Sequence, residues 1–62
     1  MTQRDMMRKL VRTYGTDWDR ICSEYARAEA SGAVRRNRNT YALSGEQYGR
    51  ALFRDGQRKG WL

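Results

Sequence analysis

The sequence predicts an all-α fold, a small three-helix domain with helices at about residues 2–14, 17–31 and 45–59 and a basic connection at 32–43. Three observations predict it. A hydroxyl residue stands three positions before a side chain able to complete a capping box at Thr2 and Asp5, Thr16 and Asp19, and Ser44 and Gln47. A glycine closes each segment at Gly15, Gly32 and Gly60. Between these signals, apolar residues recur three and four positions apart, the spacing that gathers them on one side of a helix.

The first segment places Met6 or Met7, then Leu10, Val11 and Tyr14, on its inner side, with Met1 and Met6 at the staple positions. Arg4, Arg8 and Arg12 recur every four residues on another side, with Lys9 at the edge, and read as a solvated face. The second segment directs Trp18, Ile21, Cys22, Tyr25 and Ala28 or Glu29 inward. Its four acids, Asp17, Asp19, Glu24 and Glu29, outnumber Arg20 and Arg27, so it is predicted to brace the two arginine-bearing helices rather than to face a polyanion. In the third segment Ser44 and Gln47 form the capping box, Leu43 can staple onto Tyr48, and Tyr48, Ala51, Leu52 and Asp55 fall together with Phe53 beside them. Arg50, Arg54 and Arg58 make a separate stripe. Gly49 and Gly56 each cost the helix roughly 1 kcal/mol relative to alanine, which suggests the close approach of another backbone. Trp61 and Leu62 follow Gly60 and are expected to fold back and bury Trp61 on the helix.

Gly32 to Leu43, GAVRRNRNTYAL, is long for plain coil in so small a domain. A short hairpin, Val34 to Arg36 against Thr40 to Ala42, would present Arg35, Arg36 and Arg38 at a wing-like tip and tuck Tyr41 and Leu43 under the helices.

Sixty-two residues make one domain, near the lower limit for a chain that holds a core without disulfides or metal. A dimer or a bound partner would add to its stability. Cys22 has no second cysteine to pair with, and the chain has no histidine, so neither an internal disulfide nor a zinc site is expected. Cys22 reads as a small core residue. The N-terminus shows no apolar run followed by a cleavage site, and nowhere do about 18 apolar residues occur together, so the expected setting is cytoplasmic or nucleoid-associated.

The charge balance is 13 basic residues against 7 acidic ones, a net of +6, and arginine dominates the basic set. Such a surface favours polyanions, and the guanidinium fork suits phosphates and base edges, although GC-rich coding also enriches arginine. Catalysis finds no footing. The chain lacks a Ser-His or Cys-His pair, a phosphate-binding glycine loop and a carboxylate pair in a pocket, and no cofactor is implied.

Met7 to Ala26, MRKLVRTYGTDWDRICSEYA, resembles the first half of a Myb or SANT repeat, the likeness resting on Tyr14, Gly15, Trp18 and Ile21. The resemblance implies three short helices around buried aromatics, with the third entering the major groove or, in SANT versions, binding protein tails. It covers about a third of the chain. This sequence departs from the family in the long connection between Gly32 and Ser44, where the family uses a tight turn, and in lacking evenly spaced tryptophans.

Two readings of function follow. In the first, the chain is a helix-turn-helix-like binder of nucleic acid, DNA ahead of RNA. Arg35, Arg36 and Arg38 grip phosphates, Gln47, Arg50, Arg54 and Gln57 face the groove, and Arg58 and Lys59 hold the flanking backbone. In the second, it is a small accessory or inhibitor protein of the kind mobile elements encode, docking on an acidic protein surface through anchors such as Tyr41, Tyr48, Phe53 and Trp61.

Overall fold

Three α-helices carry the fold: α1 (Gln3–Tyr14), α2 (Trp18–Ala30) and α3 (Gly45–Lys59). The structure is a computed structural model that describes residues 1–36 and 42–62. No strand occurs among the described residues. Val34 to Arg36, the first arm of the expected hairpin, therefore stands outside any strand, while its turn and most of its second arm fall at residues 37–41, outside the described residues.

The helix ends follow from local chemistry. Thr2 accepts the backbone N–H of Asp5 at 3.1 Å. At α3 the capping box is complete, with Gln47 N–H donating to the Ser44 hydroxyl at 3.2 Å and Ser44 N–H to the Gln47 side chain at 3.0 Å. The start of α2 differs from expectation by one residue. Its cap is Asp17, which accepts from the Arg20 N–H at 3.2 Å, in place of Thr16 with Asp19. A carboxylate at the positive end of the helix gains from both the hydrogen bond and the dipole, and it outcompetes the neighbouring hydroxyl. At the far end of α2, Gly32 N–H donates to the Glu29 carbonyl and Ala33 N–H to that of Ala28. This bond pair requires positive φ at the intervening residue, and Gly32 supplies it at +84°.

α2 makes its larger interface with α3 and a smaller one with α1, so it braces both arginine-bearing helices. The core draws Met6, Met7 and Leu10 from α1, Ile21 and Tyr25 from α2, Tyr48 from α3, and Val34 from the connection. Tyr25, Met7 and Ile21 are fully buried, each worth about 1.5 to 3 kcal/mol of hydrophobic stabilisation. Cys22 is buried beside them.

Several apolar residues lie elsewhere than periodicity places them. Trp18, expected inside, is 43% exposed and packs against Phe53 at a tilt of 54°, ring centres 4.5 Å apart. It occupies the first position of α2, beyond the turns that meet the core. Leu43 is 39% exposed rather than tucked beneath the helices, and Met1 is exposed rather than stapled. On α3 the buried set is Tyr48, Gly49 and Gly56, with Leu52 and Phe53 half-buried and Ala51 exposed. The glycines there admit side chains rather than another backbone. The Tyr25 ring lies against Gly49, and Leu62 and Trp61 lie against Gly56.

Candidate nucleic-acid interface

Burial divides the expected site residues. The side chain of Arg36 is only 4% exposed. Its guanidinium donates to the Glu29 carboxylate of α2 and to the carbonyl of Leu43, and lies 4.9 Å from the centre of the Tyr48 ring. It thus pins the end of α2, the following connection and the entry to α3 together, and it does not stand at a tip. The bond to Glu29 raises its pKa further, so it stays charged. Arg35 is exposed, its carbonyl accepting from Gln3 at 2.9 Å. Arg38 and Tyr41 lie outside the described residues.

On α3 the residues Gln47, Arg50, Arg54, Gln57, Arg58 and Lys59 are all exposed, as the helical spacing predicts. They differ in freedom. Gln47 is committed to the capping box. Arg50 donates to Asp19 across the helix interface at 2.7 Å, a pair with both partners in water and little to lose on exchange for a phosphate. That bond is also the main reason its pKa is raised. Arg58 and Lys59 share Asp55 at 2.9 and 3.2 Å, and the Lys59 and Arg58 bonds hold the Asp55 carboxyl below its ordinary range. Arg54 has no carboxylate partner among the described residues.

The basic sides of α1 and α3 come together at Arg4 and Lys59. Arg4 of α1 and Lys59 of α3 line one open groove of about 500 Å³, together with Ala51, Asp55 and Trp61. Ala51 and Asp55 also line an adjoining depression with Arg54 and Arg58. Trp61 joins the two helices, with the Arg4 and Arg8 guanidinium carbons 5.0 and 5.9 Å from its ring centre and Arg8 donating to its carbonyl at 2.9 Å. Arg4, Arg8, Lys9 and Arg12 have no carboxylate partner among the described residues. The acids of α2 are spent on Arg20, Arg27, Arg36 and Arg50. Periodicity shows the α1 stripe, but its junction with α3 depends on how the C-terminal residues fold back.

The aromatic anchors divide similarly. Tyr48 is buried, Phe53 and Trp61 are half-buried, and Trp18, read from the sequence as core, is the exposed aromatic among the described residues. The two aspartates that flank Trp18 in the sequence are the one signal that could have placed it outside, whereas helical spacing grouped it with Ile21, Cys22 and Tyr25. Among the described residues no cluster of potential metal ligands occurs, and no helix is long and apolar enough to cross a membrane. No protein-family model, curated protein or solved structure matches this chain.

Proposed function

We propose that this protein binds nucleic acid, with duplex DNA the first target to test and α3 the helix laid against it. One observation carries the reading: Arg4 of α1, which has no carboxylate partner among the described residues, and Lys59 of α3 border one open groove, and the depression beside it, sharing Ala51 and Asp55, carries Arg54 and Arg58. Phosphates two or three nucleotides apart suit such a row, and Arg50 and Gln57 on the same helix supply groups able to reach base edges. Arg35 adds a further outward cation. The role of α3 is also the one that the Myb-like pattern of Tyr14, Gly15, Trp18 and Ile21 suggests for a third helix.

Docking on an acidic protein surface would use the same cations. Its aromatic anchors are largely consumed, Tyr48 in the core and Trp61 between arginines, which leaves it the second reading. A fluorescence-anisotropy titration with labelled duplex at about 50 and 200 mM salt separates them. Four phosphate contacts predict roughly a hundredfold loss of affinity across that range. Arg54→Ala and Arg4→Ala should each weaken binding and reduce the salt slope by about one. No binding at the lower salt would defeat the proposal.

A further inference from the structure

The face of Trp18 has no place in duplex contact. Trp18, Phe53, Arg50, Arg54 and Gln57 line a shallow groove of about 250 Å³ between α2 and α3, floored by Cys22. The Phe53 ring packs against the indole at a tilt of 54°, ring centres 4.5 Å apart, and 43% of Trp18 is still exposed. The rim carries an amide in Gln57, the Arg50–Asp19 pair, and Arg54, which no carboxylate neutralises among the described residues. We infer that this groove receives one unstacked nucleobase of a single-stranded nucleic acid, which lies on Trp18 while its phosphate meets Arg54.

This inference rests on the nucleic-acid reading above and narrows it. Three features favour a base over a peptide. A flat aromatic ring matches an exposed indole packed against a second ring. The rim offers both donors and acceptors, as a base edge requires, whereas an apolar side chain would leave Gln57 and Asp19 without use. Asp17 and Asp19, the sequence neighbours of Trp18, disfavour the carboxylates of an acidic peptide near the indole, while a neutral base can sit there with its phosphate turned toward α3. In a duplex the base faces are covered by their neighbours, so the occupant is an unpaired base in a single strand, bulge or end.

The protein carries two tryptophans, so Trp61→Phe, which keeps a ring against Gly56, leaves Trp18 as the sole tryptophan reporter. In that background a short oligothymidylate should quench Trp18, and the matching duplex should not. Trp18→Ala should weaken oligothymidylate binding by roughly 5- to 150-fold, the worth of one stacked base, and leave duplex affinity unchanged. Gln57→Ala, at an exposed position, tests the rim without disturbing the core, and thermal melts of both variants confirm folding. Oligonucleotide binding by anisotropy with Trp18 silent overturns the base site alone, as does an equal loss of single-strand and duplex affinity in Trp18→Ala. Absence of binding to either nucleic acid overturns the underlying reading as well. Quenching by an acidic peptide and not by oligothymidylate overturns it in favour of a protein partner.

Discussion

The guanidinium of Arg36 is bonded to the carboxylate of Glu29 with 4% and 18% of the two side chains exposed, and Tyr48 lies beneath it. A charge taken out of water in this way depends on its partner. Glu29→Ala should therefore lower the thermal midpoint well beyond the change from Arg50→Ala, whose ion pair stands in water. Replacing both residues, as Arg36→Met with Glu29→Leu, should recover much of the loss because no unpaired charge then remains. Melting followed by circular dichroism decides this, and equal losses in Glu29→Ala and Arg50→Ala would contradict it. The same burial means that Arg36→Ala would weaken any binding by unfolding the domain, so it is no test of phosphate contact.

Gly45 and Gly56 should differ in their response to alanine. A Cβ on Gly45 would stand 2.9 Å from the Ala26 Cβ and 3.1 Å from its Cα, atoms that move only if α2 moves. Gly45→Ala should cost about 1 to 3 kcal/mol, the range for overpacking. At Gly56 the obstacles are side-chain atoms, Leu62 Cδ1 and Cγ at 2.8 Å and Trp61 Cη2 at 3.0 Å. None of these is a backbone atom, and the helix-propensity gain of about 1 kcal/mol opposes what their displacement costs. Urea unfolding of the two variants should rank Gly45→Ala clearly the less stable.

Cys22 should behave as a protected thiol. Burial raises its pKa, with the nearby Arg50 opposing in part, so little thiolate is present at neutral pH. Alkylation in the native state should proceed through opening of the α2–α3 contact, slowed about tenfold for each 1.4 kcal/mol that opening costs. A native rate equal to that in urea would show the thiol to be open to solvent.

Asp55 ties the last turn of α3 through Lys59 and Arg58, which lower its pKa by hydrogen bonding. The folded state thus prefers the ionised carboxylate. Its contribution is fully present above the unfolded value of about 3.9 and is lost as pH falls through the lower folded value. NMR titration should place Asp55 below the ordinary Asp range. Lys59→Ala should move it upward, and an unchanged midpoint in that variant would refute the assignment.

Much of this fold is legible locally. Hydrogen bonds three or four residues apart decide where a helix begins and ends, so Thr2, Ser44, Gly32 and Gly60 mark boundaries that the structure keeps. The shift from Thr16 to Asp17 is a contest between adjacent caps, which spacing alone does not resolve. The candidate surface is legible in part. Four-residue spacing puts Arg50, Arg54 and Arg58 outward on α3, and it sets Arg4, Arg8 and Arg12 in a row on α1.

What the sequence by itself determined is the set of helices, their ends, the inward course of Met7, Ile21, Cys22 and Tyr25, and the concentration of acid on α2. Tertiary structure alone decided that Arg36 turns in to Glu29, that Trp18 turns out over Phe53, and that Arg4 and Lys59 share a groove. The physical reason is range. Caps and periodicity act within a turn or two of the chain, whereas a side chain's exposure depends on where residues tens of positions away come to rest when the helices pack.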